Sequence, residues 1–342
     1  SYDVVVVGSG IAGSSLAFEL EKRNVNYKLF SRENNLLSNT SSLSYGHCRV
    51  PENIEEIVER SVIYLGEDRK RMNFVYSRAG FVLDLFEELD ISFEKRSFGY
   101  IPLGKRRGGN IILRGLQENI SSFETSTELL DFRKNRLEFD IRLRNSMGEY
   151  IIRSKSLVLA TGGYGGSFDV TNNYRYENYD APNIVEARGG EIDNLECIFV
   201  HPFGYSGGKR ILIGNESKGG EFVDSKGEFV FDEFVRDKIK RNDYHEIFDK
   251  LLNQIKGCNN KGSKVYFEDK ERRLDISPTV HYTAGGIRTN YVGEVYGCKN
   301  LYAIGESRSD GSRNGGRFPG YPFTSSIVYG RILGELFSNL KI

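Results

Sequence analysis

A chain of 342 residues, 39% hydrophobic and 27% charged, has an ordinary globular composition, long enough for about two domains and a sizeable core. Its 47 Lys and Arg balance 47 Asp and Glu, so no whole-chain charge points to nucleic acid or a membrane surface, though a local cationic pocket stays open. Cys48, Cys197, Cys258 and Cys298 lack CxxC spacing, which argues against a zinc site, an iron–sulfur cluster or a disulfide redox pair. Four reduced thiols and no bound metal are expected. No basic-then-apolar leader precedes the first strand, and no apolar run approaches the roughly 20 residues of a membrane helix. A cytoplasmic, soluble protein is the expectation.

The chain opens on YDVVVV (2–7), the β-branched run of a parallel strand buried on both faces. Gly8, Gly10 and Gly13 follow in GSGIAG, and then a helical stretch, SSLAFELEKR. Each position of this G-x-G-x-x-G-x-x-x-A pattern, ending on Ala17, has a mechanical reason. Gly8 permits the tight turn, and Gly10 lets backbone approach a pyrophosphate. Gly13 and Ala17 let the helix sit close on the sheet with its N-terminus facing the phosphates. Strand, turn and helix together make this a dinucleotide-binding fingerprint. The second strand, NYKLFSREN, should end on an acidic residue for the ribose. Ser31, Arg32 and Glu33 stand there, leaving Ser31 or Glu33 as the ribose partner.

Residues 52–75 and 76–90 pattern as helices, the second with an apolar face of Phe81, Val82, Leu85 and Phe86. Glycine clusters at 105–109, 204–220 and 311–320 mark loops. Residues 136–155 alternate as an antiparallel hairpin, and SLVLATGG (156–163) reads as a buried strand. A hairpin around GGEFVDSKGEFVF precedes helices to about Ile255. NLYAIGES (300–307) is a strand ending in Gly305-Glu306, before a glycine-rich loop and a helix from about Thr324. Ligands bind at strand C-termini in open α/β sheets. The three strand–turn segments, in this order, are the pattern of two-dinucleotide-binding-domain flavoproteins, an α/β fold with a Rossmann-like FAD-binding domain, and the family resemblance of the motifs that follow implies an inserted, smaller α+β capping domain. The expected division is 1–198 and 281–342 for the FAD-binding domain and 199–280 for the capping or substrate domain.

Further motifs follow in order: Asp180, then GGEIDNLECIFVHP with His201-Pro202, Arg236-Asp237 in FVRDKIKR, HYTAGGIRTN from His281, and Arg317 in GESRSDGSRNGGRFPGYPFTSSIVYGR. This succession resembles the succinate dehydrogenase/fumarate reductase flavoprotein family, which includes L-aspartate oxidase; the match is patchy between about 50 and 150. The resemblance implies FAD as cofactor, held by Gly8, Gly10, Gly13, Ser31, Arg32, Glu33, Thr40, Ser41, Gly46, Ala160, Thr161, Gly162, Asp180, Gly305 and Glu306. It implies a small dicarboxylate as substrate, clamped by His201, His281 and Arg317, with Arg236 as proton donor. Such groups suit the chemistry. Hydride transfer to an alkene between two carboxylates builds negative charge on a carboxylate, which cationic donors stabilise. A guanidinium fork binds a carboxylate through two hydrogen bonds. Placed on a cap, Arg236 would enter the site as closure excludes water.

Several positions depart from the family pattern. Its Gln two residues before the His-Pro pair is Phe199 here, and its Thr-Glu pair corresponds to Gly214-Asn215. Its flavin-linked histidine falls at Ser38 or Asn39, so FAD is expected to be non-covalent. The cap is short and the chain ends after the last sheet helix, so an iron–sulfur partner subunit is not expected. His47 lies in the segment resembling the family's flavin-contacting loop, and His245 reads as an exposed helix residue. Fumarate reduction or succinate oxidation is the leading activity. L-Aspartate oxidation is the alternative, with Glu216 or Glu221 as candidates for the amino group. A flavin-binding protein with a repurposed substrate site is the third reading.

Overall fold

The computed structural model describes residues 1–96, 99–212, 214–217, 219–241, 247–312 and 317–339. These form two compact units, one of Ser1–Tyr164, Tyr179–Cys197 and Ala284–Ile342, the other of Gly165–Asn178 and Ile198–Thr283.

The first unit begins with β1 (Tyr2–Val7), α1 (Ile11–Lys22), β2 (Tyr27–Phe30) and α2 (Thr40–Leu43). Helices α3 (Ile54–Leu65), α4 (Arg69–Tyr76) and α5 (Phe81–Glu88) follow, then strands β3 (Phe93–Arg96) and β4 (Gly99–Pro102) and helix α6 (Gly108–Gln117). Strands β5 (Phe123–Glu124), β6 (Glu128–Lys134), β7 (Phe139–Asn145) and β8 (Gly148–Leu159) lead to α7 (Asp180–Ala187) and β9 (Ile192–Asp193). The second unit holds β10 (Ile198–His201), β11 (Gly204–Tyr205), β12 (Arg210–Ile211), β13 (Glu221–Asp224), α8 (Glu233–Lys240), α9 (Phe248–Asn260), β14 (Val265–Glu268), β15 (Arg273–Ile276) and β16 (Thr279–Thr283). The chain then returns to the first unit through β17 (Gly286–Ile287), β18 (Leu301–Ala303) and α10 (Tyr321–Asn339).

The first unit is the expected Rossmann-like α/β fold. Its parallel sheet runs β5-β2-β1-β8, with β18 beside β8. The valines of β1 explain why it sits inside. Val4 and Val6 join one apolar cluster and Val5 and Val7 another, so both faces of the strand are covered. Val6 lines up with Leu29 of β2 on one side and Val158 of β8 on the other. Helix α10 lies close on α1 because a Cβ on Gly330 or Gly334 would fall 2.7 and 2.6 Å from the Cβ of Ser15 and Glu19.

Three local expectations are corrected. The helix expected over 52–75 breaks at Gly66, whose φ of 65° ends α3 in a left-handed cap, and Asp68 restarts α4 by accepting from Arg71 N at 2.7 Å. The hairpin over 136–155 and the strand at 156 are one element: β8 is antiparallel to β7 over Gly148–Ser154 and then enters the parallel core, and its burial changes from alternating to continuous at that point. The 105–109 glycines do not all lie in a loop, because α6 starts at Gly108. The hairpin expected around residues 219–231 forms, with Asp224 N donating to Glu228 O at 2.9 Å and Val230 N to Phe222 O at 3.0 Å about the Val223–Phe229 bridge, and β13 also pairs β14.

The second unit packs the antiparallel sheet β13-β14-β15 with α8 and α9 around Phe203, Phe222, Phe231, Leu251, Ile255 and Phe267. Residues 165–178, which the sequence alone assigns to the flavin domain, cluster here instead. Their backbone pairs with β16: Val280 N donates to Val170 O at 3.0 Å, and Asn172 N to Val280 O at 3.2 Å.

Candidate active site

In the first unit the glycine turn is built as its spacing requires. Gly8 has φ of +111°, and a Cβ there would fall 2.1 Å from Ala160 O. One on Gly13 would fall 1.8 Å from Gly8 O. Gly10 differs, because its nearest neighbour would be Ser41 Oγ at 3.2 Å. Gly8 and Gly13 are needed by the fold, whereas Gly10 leaves open space at the α1 N-terminus, where backbone N–H groups favour an anion.

The segments around this turn are tied to it. Ile11 N donates to Ser41 Oγ at 3.1 Å, placing α2 against the start of α1. Gly46 has φ of +70°, and a Cβ on it would strike the Gly108–Gly109 backbone at 2.4 Å. Ala160 N donates to Val7 O at 2.8 Å, which sets Ala160, Thr161 and Gly162 at the strand end beside the turn. Thr161 Oγ1 is buried without a protein partner. Such an orphaned hydroxyl next to an open glycine turn fits a polar cofactor atom. Gly305 (φ +66°) and Glu306 form a 3-10 turn after β18, held there by Ser307 Oγ bonding Leu159 O at 2.8 Å.

At the end of β2, Ser31, Arg32 and Glu33 take different surroundings. Ser31 Oγ lies 2.9 Å from Ser9 Oγ, both buried, next to the glycine turn. Glu33 is half-buried, and its carbonyl accepts Ser126 N at 2.8 Å. Arg32 points elsewhere, into ion pairs with Glu128 at 2.8 Å and Asp180 at 3.5 Å. His47 is half-buried, and desolvation, reinforced by Arg49 and Arg96, lowers its pKa.

The loop after β18 is braced by a buried charge cluster that sequence reasoning missed. Arg71 donates from Nη1 to Ser309 O at 2.6 Å and from Nη2 to Thr289 O at 3.1 Å. Arg308, fully buried, lies 3.4 Å from Asp310 and stacks 4.3 Å over the Tyr329 ring. Beside them Glu67 is 5% exposed, and its Oε2 has no hydrogen-bond partner. Burial first, and Asp310 second, hold its carboxyl well above the ordinary range, against Arg71 and Arg308. The sign follows. A raised carboxyl pKa gives stability that is complete below the unfolded value and lost as pH climbs through the folded one. Wild-type stability should thus fall from about pH 4.5 upward by this contribution, and Glu67→Gln should flatten the fall. Urea denaturation at stepped pH measures it, and parallel profiles would refute it.

In the second unit, β10 and β16 bring the two candidate substrate histidines together. The pairing shifts between Phe199 and Val200, so that His201 stands opposite Thr279, and the bulge turns the strand beside His281. The imidazole centroids lie 5.9 Å apart at 85°. Phe199 is 6.2 and 6.1 Å from the two rings, and Phe248, from α9, is 5.4 Å from His201. His201 is 4% exposed, and its Nδ1 accepts Phe203 N at 3.2 Å. A neutral ring so held carries its proton on Nε2. His281 Nδ1 meets the Asn172 amide, with Nδ2 at 3.1 Å and Oδ1 at 3.2 Å.

Arg236 lies on α8 and pairs with Glu221 of β13. Its Nε and Nη2 donate to Oε2 and Oε1 at 2.9 and 3.0 Å, and the guanidinium sits 3.7 Å over Phe229. Glu221 also takes Lys240 Nζ at 2.6 Å. The hydrogen bond to Glu221 raises the Arg236 pKa. Gly214 and Asn215 lie in a 3-10 turn, Arg317 is half-buried in the first unit, and His245 lies outside the described residues. No group of metal-ligating side chains occurs among the described residues, and none of their helices is long and apolar enough to cross a membrane.

A parallel sheet with a glycine turn, an open helix N-terminus and an orphaned Thr161 hydroxyl is the geometry of a dinucleotide-binding fold. Residues 2–190 match the family model described as pyridine nucleotide-disulphide oxidoreductase, and residues 243–320 match the FAD binding domain. Over 96% of this chain and 85% of its own length, an L-aspartate oxidase from Clostridium perfringens (strain 13 / Type A) is 26% identical. A fumarate reductase (CoM/CoB) chain from Methanothermobacter marburgensis is 24% identical, over 97% of this chain and 71% of its own length. Among solved structures, the E. coli quinol fumarate reductase FrdA chain aligns with a TM-score of 0.84 at 19% identity, covering 99% of this chain and 70% of that one. The chain belongs to these FAD-binding flavoproteins, and within them to the oxidoreductase family of L-aspartate oxidase and the fumarate reductase and succinate dehydrogenase flavoproteins. The four cysteines are free thiols, and burial pushes the Cys48 thiol pKa up.

Proposed function

We propose that the enzyme moves a hydride between its flavin and the carbon chain of a small dicarboxylate, as a fumarate reductase or succinate dehydrogenase does. The observation that supports this most is the pairing of His201 and His281, two of only four histidines in the chain, 5.9 Å apart in one unit. FAD, when bound, supplies the hydride chemistry at its N5. It would rest non-covalently on Gly8, Gly10, Gly13, Thr161 and Glu306, because Ser38 and Asn39 stand where related proteins carry a flavin-linked histidine.

His201, with its Nδ1 engaged by Phe203 N, offers an Nε2–H to a carboxylate oxygen. His281 and Arg317 hold the carboxylates with it, and their donors stabilise the charge that grows as the hydride adds. Arg236 gives a proton to the second carbon, and Glu221, bonded to two of its nitrogens, fixes the guanidinium and takes part in restoring that proton. L-Aspartate oxidation is the second reading, favoured by the 85% coverage of the Clostridium oxidase. Phe199 and Gly214-Asn215 motivate the third, a flavin protein whose substrate site binds without turnover.

The test uses purified protein. Its visible spectrum is recorded, a sample is denatured to release flavin, the reduced form is mixed with fumarate, and the oxidised form with succinate or aspartate. Free FAD and reoxidation by fumarate are expected. Reduction by aspartate under oxygen, with no response to fumarate, would move the assignment to the second reading. Flavin without any dicarboxylate response would leave the third.

A further inference from the structure

We propose that Arg49 is the positioning residue for Arg317, an inference that rests on the carboxylate-binding role given to Arg317 above. The contacts all lie within the first unit. Arg49 follows the flavin-loop segment and is 270 positions from the stretch it grips. Its Nε donates to Pro319 O at 2.8 Å, and its backbone N donates to Gly320 O at 3.3 Å. Its carbonyl accepts Thr324 Oγ1 at 2.9 Å, and its guanidinium lies 5.5 Å from the centroid of the Phe318 ring. One residue thus holds the three positions that follow Arg317 and the first turn of α10.

The grip is anchored at both ends. Cys48 exchanges two backbone hydrogen bonds with Tyr100 of β4, at 2.9 and 2.8 Å, so Arg49 starts from a fixed point. The Phe318 ring, 4% exposed, has a second guanidinium, Arg60, 5.4 Å from its centroid. Gly320 adopts φ of +85°, and a Cβ on it would fall 2.8 Å from Arg49 N, so the chain passes Arg49 too closely for any other residue.

Packing alone does not account for an arginine here. Burial lowers the Arg49 pKa, and the like charge of Arg60 adds to that, so the site holds a cation at a cost an apolar side chain would avoid. What the guanidinium adds is direction. Its Nε–H fixes one carbonyl while its plane covers one ring, a combination lysine lacks. A carboxylate clamp displaced by an ångström loses much of its effect.

Hydrogen exchange on the FAD-loaded full chain, with steady-state kinetics alongside, tests this with Arg49→Met and Arg49→Lys. Amides of residues 317–324 should exchange about tenfold faster or more in both variants, while those of α5 keep wild-type rates and flavin stays bound. KM for the dicarboxylate should rise about tenfold with kcat lowered less than about threefold, the signature of a loosened binding group. Unchanged exchange at 317–324, or acceleration spread evenly over the chain, overturns the inference. If the wild type turns over no dicarboxylate, the proposed function falls, and the exchange result alone decides the role of Arg49.

Discussion

Replacing Arg236 by lysine should lower kcat by about 10²–10⁴ while flavin content and KM stay near wild type. The substitution keeps a positive charge on α8 and removes the fork. Wild-type Arg236 uses Nε and Nη2 on the two oxygens of Glu221, which leaves Nη1 as the remaining nitrogen of a plane fixed by that pair and by Phe229. Lysine presents one rotating ammonium that cannot hold both oxygens and a third direction at once. The fold should notice little, because pairs this exposed contribute weakly to stability and Asp232 still caps the helix through Val235 N at 2.9 Å. Glu221→Gln should act in the same direction but less, since an amide can accept from only one of the two nitrogens. Reoxidation of the reduced protein by fumarate, followed by stopped-flow absorbance, gives the rate. A lysine variant that turns over at the wild-type rate would remove Arg236 from the chemistry.

Much of the flavin-binding unit was legible because its constraints are local. Gly8, Gly10 and Gly13 are three positions of one turn, and their spacing is itself the geometry. The ends of β8 and β18 were readable for the same reason, as buried runs stopping at glycine. Other signals were present but under-read. Gly66 with Asp68 is a helix stop followed by a cap, and it breaks the helix expected over 52–75.

The environment of the histidines was not legible, since it comes from residues far away in the chain. Asn172 reaches His281 across 109 positions, and Phe248 comes from a helix whose periodicity tells which face is apolar but not what lies opposite. The Glu221 partner of Arg236 was hidden likewise. It stands on β13, 15 positions before Arg236, and takes two of its nitrogens. Arg49 had no signal at all beyond its neighbourhood, for its partners are mostly carbonyls, which every residue carries.

The glycines of the turn allow fold and cofactor to be separated by experiment. Gly13→Ala should destabilise the chain by about 3 kcal/mol or more, because the new methyl would lie 1.8 Å from Gly8 O, a backbone atom that cannot swing aside. Relief would require α1 to lift from the strand, and Ala12, Leu16 and Ala17 would leave the cluster they share with Val4 and Val6. Gly10→Ala is a different case. Its methyl would meet only Ser41 Oγ at 3.2 Å, a side-chain atom that can give by a few tenths of an ångström. That variant should fold with nearly wild-type stability and bind FAD at least about tenfold more weakly, since the methyl fills space that the pyrophosphate needs. Urea denaturation of the apoprotein and fluorescence titration with FAD read the two effects independently. Equal loss of stability in both variants would mean the turn is rigid throughout, and normal FAD affinity in Gly10→Ala would move the pyrophosphate away from this helix.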